Sequence, residues 1–169
     1  MYNFGKLFKE SKDNFIIYEG KKLVMSDRFP VKNGDVVFVN IEKTNSNLRQ
    51  GATIDITGWC EINGEKFKQG KGVRMQFWED TWNKTYPIKI FTKRDYVVVY
   101  NICEAKSFYS TFDKQETPLM KSSTTLEYWH NGCAMIVEEI ENGRRYRCSD
   151  VMPDGNFENI VFTIKKISS

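Results

Sequence analysis

The stretch Cys133-Ala134-Met135-Ile136-Val137-Glu138-Glu139-Ile140-Glu141-Asn142-Gly143-Arg144-Arg145-Tyr146-Arg147-Cys148-Ser149 carries the signal that decides the fold. A run rich in branched side chains, Met135 to Ile140, and a run with Tyr146 and Cys148 alternating with arginines flank Asn142-Gly143. A two-residue type I′ turn needs positive φ at both central positions, which Asn-Gly adopts with least strain. The dipeptide recurs at Asn33-Gly34, Asn63-Gly64 and Asn131-Gly132, each time near β-rich sequence. Four such signals in 169 residues predict a chain of antiparallel hairpins.

Outward from that stretch, residues 124–130, 133–141, 144–151 and 160–167 read as a C-terminal four-strand meander. Two-residue turns would set Tyr128 opposite Met135, Leu126 opposite Val137, Val137 opposite Cys148 and Glu139 opposite Tyr146. Partners in register share a face, so this side is predicted core. The other side would carry Trp129, Ala134, Ile136, Arg145 and Arg147, to be covered by a sheet layer or by a partner. Cys133 and Cys148 would sit four residues apart along the strand direction, roughly 13 Å, too far for a disulfide.

Further strands are expected at 35–41, 53–62, 65–69, 73–78, 88–91 and 96–103, with 15–18 and 23–25 pairing nearby. In 53–62, Ile54, Ile56, Cys60 and Ile62 alternate with Asp55, Thr57, Trp59 and Glu61, a half-buried strand pattern. The Tyr96-Val97-Val98-Val99-Tyr100 run suits a strand covered on both faces. The first ten residues, where Phe4, Leu7 and Phe8 have helical spacing, and residues 79–84 are the two places for a helix. The fold class is therefore all-β, an antiparallel β-sandwich with little helix, with a partly open β-barrel as the alternative. Residues 1–169 fit one domain, long enough to bury a core. Residues 104–123, polar and interrupted by Pro118, are expected as a long surface loop.

Composition narrows function more than it names it. A net charge of +3, with lysines and arginines spread among acids, is far below the footprint of a dedicated nucleic-acid binder. The start of the sequence lacks the apolar run of a signal peptide, and no stretch is long enough to span a bilayer, so a cytoplasmic location is expected. Cys60, Cys103, Cys133 and Cys148 have no C-x-x-C spacing and read as buried thiols. With one histidine, His130, no metal-ligand spacing appears. His130 and Cys133 would be cross-strand neighbours, but no orienting group or oxyanion donor is identifiable beside them. Gly70-Lys71-Gly72 lacks the ending a phosphate loop needs. No catalytic residue, metal or cofactor is therefore assigned, and the chain is expected not to be an enzyme.

Candidate contact residues come from two stretches. In residues 75–87, Trp78 and Trp82 bracket Glu79 and Asp80 at a strand end, the mixture of aromatic anchor and charge found at interface hot spots. The competing reading is that both rings close the end of the core. The second group is Trp129 with Arg145 and Arg147. Together these residues lead to the expectation of a protein-binding protein, of the immunity type that neutralises a toxin or effector protein. The alternatives are a carbohydrate-binding module that stacks sugars on Trp59, Trp78, Trp82 or Trp129, and weak RNA or DNA binding through the arginines.

Overall fold

A computed structural model describes residues 3–129 and 132–168, and it is almost entirely antiparallel β-structure. In chain order the elements are α1 (Phe4–Glu10), β1 (Ile16–Tyr18), β2 (Lys21–Leu23), β3 (Asp27–Pro30), β4 (Val36–Thr44), β5 (Arg49–Ile56), β6 (Gly58–Ile62) and β7 (Glu65–Phe67). There follow β8 (Val73–Trp78), β9 (Ile88–Thr92), β10 (Tyr96–Phe112), β11 (Pro118–Glu127), β12 (Ala134–Ile140), β13 (Gly143–Ser149) and β14 (Ile160–Ile167). One main sheet has the order β12-β13-β14-β4-β9-β6-β7 and the other β11-β10-β5-β8, with β3 also paired to β10, while β1 and β2 form a separate two-stranded hairpin. Both sheets are open, so the architecture is the sandwich rather than the barrel. Among the described residues no helix is long and apolar enough to cross a membrane.

The core lies between the sheets. Val37, Val39, Ile88, Ile90, Met135, Tyr146, Cys148, Phe162 and Ile164 face Ile54, Phe77, Val97 and Val99 across it. Tyr146 stacks on Phe162 at 4.9 Å between ring centroids. The alternating stretch 53–62 is two strands, because the chain passes from one sheet to the other between Ile56 and Gly58. Its alternation persists because both sheets turn their inner faces to the same core.

Two of the four Asn-Gly signals mark hairpins, one of them with a shift; at Asn33-Gly34 the flanking strands part, β3 pairing with β10 and β4 with β14 and β9, and Asn131 lies outside the described residues. Asn63 and Gly64 both take positive φ and close β6 onto β7, with Ile62 opposite Glu65. In the C-terminal hairpin the turn residues are Glu141 and Asn142, and Gly143 already pairs with Ile140 and with Lys165. Gly143 lies so close to β14 that a Cβ there would fall on the Ile164 carbonyl oxygen, which explains why the glycine belongs to the strand. The register moves by two residues: Met135 faces Cys148 and Val137 faces Tyr146. A two-residue shift preserves the faces, so Met135, Tyr146 and Cys148 are buried as expected. It also places Cys133 two residues past the partner of Cys148, about 7 Å along the strand instead of 13 Å. None of the four cysteines is in a disulfide, and all four are buried.

Three expectations are corrected. The meander has three strands, β12 to β14, because β11 leaves for the other sheet and pairs with β10, so Tyr128 and Leu126 do not face Met135 and Val137. The loop expected at 104–123 is a β-ribbon: β10 continues to Phe112 and β11 returns from Pro118. Asp113 supports the turn by accepting at Oδ1 from the N–H groups of Gln115 and Thr117, both at 2.8 Å. Residues 79–84 form no helix; Trp82 N–H bonds the Trp78 carbonyl at 2.8 Å as a single turn. The N-terminal helix does form, capped by Asn3, with Phe4 and Phe8 buried. These two rings, with Ile16, Leu23 and Phe157, cover Ala134 and Ile136 on the outer side of β12.

Candidate functional site

The seven candidate contact residues divide among three places. At the first, Arg49 opens β5, facing Glu104 of β10. Its guanidinium lies 4.3 Å from the centroid of the Trp78 ring and pairs with Asp80 at 2.8 Å and Glu104 at 3.0 Å. The hydrogen bond from Arg49 holds the Asp80 carboxyl below its usual range. Glu79 Oε2 accepts from the Gln50 N–H at 2.9 Å, which ties the turn after β8 to β5. Trp82 donates its indole N–H to the Val39 carbonyl at 2.9 Å and packs edge-on against Phe77 at 4.7 Å and Tyr86 at 5.4 Å. Trp82 therefore closes the end of the sandwich, and Trp78, Glu79 and Asp80 brace it. This group serves the core-closing reading.

Arg145 and Arg147 lie on the outer face of the larger sheet, because Tyr146 between them points inward and is fully buried. Arg145 pairs with Glu42 at 2.8 Å and Glu138 at 3.7 Å. Arg147 pairs with Glu138 at 2.6 Å and Glu158 at 3.8 Å, and Lys43 adds a bond to Glu158 at 2.8 Å. Charges interleaved in this way leave little net field for a polyanion. Trp129 is separate from both arginines, on the other sheet.

Trp129 is where the candidates meet an exposed apolar surface. With φ of 56° it leaves the line of β11, and its ring packs 4.8 Å from Tyr100 and 5.3 Å from Tyr128. These rings cover the outer face of β10 and β5. Arg74 lies 5.9 Å and 5.7 Å from the two tyrosine rings and pairs with Asp55 at 2.9 Å. The Tyr100 hydroxyl donates to Asp55 Oδ2 at 3.2 Å, and burial pushes its pKa up. Trp129 itself keeps 40% of its surface exposed.

From this aromatic root the ribbon of β10 and β11 runs outward. Strand geometry puts Leu126 and Met120 on one side, together with Phe112 opposite Pro118. They are exposed by 40%, 71% and 67% respectively, and with Trp129 they make an interrupted apolar row. None of the three was singled out from sequence. The available signal was Asp113 heading a turn between an aromatic-containing arm and a Ser/Thr-rich one; Pro118, at a strand's first residue, is compatible with that reading.

Two other features bear on the chemistry. A cleft of about 490 Å³ beside β3 is lined by Lys22, Asp27, Arg28 and Arg144 among others. In it Asp27 Oδ2 accepts from Arg144 at 2.9 Å and from the Tyr146 hydroxyl at 2.7 Å, a closed set of partners. Among the described residues no group of histidine, cysteine and acidic side chains is placed to hold a metal. His130 lies outside the described residues, and Cys133 is buried. For sugar stacking, Trp59 is paired with Phe91 at 3.9 Å and covered by Lys66 at 4.4 Å, so its ring is occupied within the chain, as are those of Trp78 and Trp82. The chain matches no protein-family model, no curated protein and no solved structure.

Proposed function

We propose that this chain binds and blocks another protein, as an immunity-type protein does a toxin or effector, and that it grips this partner with the apolar side of the β10–β11 ribbon and the Trp129 root. The observation that carries the reading is the run of Phe112, Met120, Leu126 and Trp129 along one side of a projecting two-stranded arm. Large apolar side chains left in water along one side of an arm, with only the small Ser122 and Thr124 between them, suit a contact surface. An isolated two-stranded ribbon is marginal in water, so a surface that covers it also stabilises it. The eight pairs beyond β5, from Ala105 opposite Thr125 to Phe112 opposite Pro118, give a free arm about 25 Å long, enough to lie across a partner's cleft. Arg145, Arg147, Trp78 and Trp82 stand outside this contact, because each is already satisfied within the chain.

The test is capture from the native host followed by reconstitution. A stoichiometric partner, purified and titrated back by calorimetry, is expected to lose at least tenfold in affinity to Met120→Asp and to Trp129→Ala. Arg145→Ala should leave affinity unchanged. A partner that binds Met120→Asp as tightly as the wild type overturns the assignment.

A further inference from the structure

The ribbon has an edge as well as a face, and the edge carries a separate message. On one side β11 pairs with β10; on the other, no strand lies beside it among the described residues. The phase of its hydrogen bonding is set at the turn, where the Asp113 N–H bonds the Thr117 carbonyl at 3.0 Å. Bonded pairs alternate along an antiparallel ladder. Leu119, Lys121, Ser123, Thr125 and Glu127 therefore spend their backbone groups on β10, and Met120, Ser122, Thr124 and Leu126 turn theirs outward.

Exposed edges of this kind are usually blunted by charge, short length or cover. The larger sheet follows that rule at both ends. β7 has three residues, two of them Glu65 and Lys66, and β12 carries Glu138 and Glu139 and is bridged by Val24 at Met135 through bonds of 3.0 and 2.8 Å. By contrast β11 offers ten residues whose only charges are Lys121 and the terminal Glu127, with Ser122-Ser123-Thr124-Thr125 between them.

We propose that two copies of this chain join edge to edge through β11, related by a two-fold axis at Thr124. In that register Lys121 of each copy faces Glu127 of the other, so two opposite-charge pairs form, and Ser123 faces Thr125 across the non-bonded positions. Ser122 and Leu126, both outward-turned, share bonded positions, as an antiparallel pairing requires. An axis at Lys121 would set the two lysines against each other, and axes at Ser122 or Ser123 pair neither charge. The Thr124 register forms about six backbone hydrogen bonds. Cross-strand partners point to the same side, so both copies' Met120 and Leu126 fall on one face. The contact surface is thereby doubled on a continuous sheet, and each ribbon gains a second pair of strands. This inference does not depend on what the face binds.

Mass measurement by sedimentation equilibrium across a concentration series tests it. The wild type is expected at twice 19.8 kDa, with Thr124→Pro at the single-chain mass. The Thr124 N–H points away from β10, so proline there removes no bond within the chain, and unchanged far-UV circular dichroism would verify the fold. Lys121→Glu should weaken the dimer about tenfold by setting like charges together. Adding Glu127→Lys should restore it. A wild type that stays at the single-chain mass at every concentration, or a dimer untouched by Thr124→Pro, overturns the proposal. A single-chain Thr124→Pro that still binds the captured partner supports the edge assignment and leaves the face assignment standing. Loss of partner binding by Met120→Asp with the dimer intact separates the two in the other direction.

Discussion

Replacing Trp82 separates a core-closing tryptophan from an interface tryptophan. Trp82→Phe keeps a ring against Phe77 and Tyr86 and deletes the indole N–H that Val39 accepts from. One neutral hydrogen bond contributes about 1 kcal/mol. Trp82→Ala removes the ring as well. The side chain is half-buried, so roughly 100 Å² of apolar area returns to water, about 2.5 kcal/mol at the usual coefficient. The alanine variant should therefore lose about 3.5 kcal/mol in total. For a chain of this length that is a fall in Tm of about 10 °C, against about 3 °C for phenylalanine. Urea and thermal unfolding followed by far-UV circular dichroism read both values. If Trp82→Ala unfolds like the wild type and instead loses a binding partner, Trp82 belongs to the interface and the placement argued above is wrong. If phenylalanine costs as much as alanine, the division between hydrogen bond and packing is wrong.

Asp27→Ala should cost about 2 kcal/mol, because it strands the buried Tyr146 hydroxyl and leaves Arg144 with Glu139 alone among its carboxylate partners; denaturant midpoints give the value, and a change below half of it would remove Asp27 from the list of supports. Burial raises the Cys60 thiol to about 11 and the Cys103 thiol to about 12, from an ordinary 9.0. The folded state then holds protons that the unfolded state releases above pH 9, so stability is flat with respect to these groups below pH 9. It falls by about 1.4 kcal/mol per pH unit for each thiol as pH rises toward 11. Melting curves between those values check the slope, and neither thiol should react with iodoacetamide at neutral pH in the folded protein. Arg147→Ala should change stability by about 1 kcal/mol or less, and the small effect should shrink in high salt, since its pairs with Glu138 and Glu158 are only partly buried.

The hairpin class, the sandwich and the inner faces were legible because they rest on period-two alternation and on turn residues, which act locally. Met135, Cys148, Ile54 and Val99 could be assigned to the core from their neighbours alone. The destination of the strand before Asn131-Gly132 was not legible. A hairpin within one sheet and a crossing between two sheets share the same turn dipeptide, and the choice depends on β10, twenty and more residues earlier, offering a free edge. The two-residue shift at Gly143 was equally hidden, since it follows from contact with the Ile164 carbonyl on a third strand. The ribbon was missed for a different reason: Ser, Thr and Lys make 104–123 look like a solvated loop by composition, and Ser122 and Thr124, on the same side as Met120 and Leu126, break the period-two alternation that marks a strand.

The contact residues fared according to whether the chain itself supplies their partners. A tryptophan beside two acids reads identically as an interface anchor and as a core lid, because sequence records the groups but not their bonds. Here Arg49 satisfies Asp80 and covers Trp78, Gln50 satisfies Glu79, and the Val39 carbonyl takes the Trp82 indole. Bonds already made within a chain are a cost to any partner, which would have to replace them with equal ones. The same accounting applied to β11 gives the opposite sign. Its outward N–H and C=O groups at Ser122 and Thr124 and the apolar side chains of Met120 and Leu126 exchange water, not protein, for whatever covers them. A partner gains most where the chain's own bonds are fewest, and on that ground the ribbon is proposed as the contact surface and the tryptophan-rich turn as the closure of the sandwich.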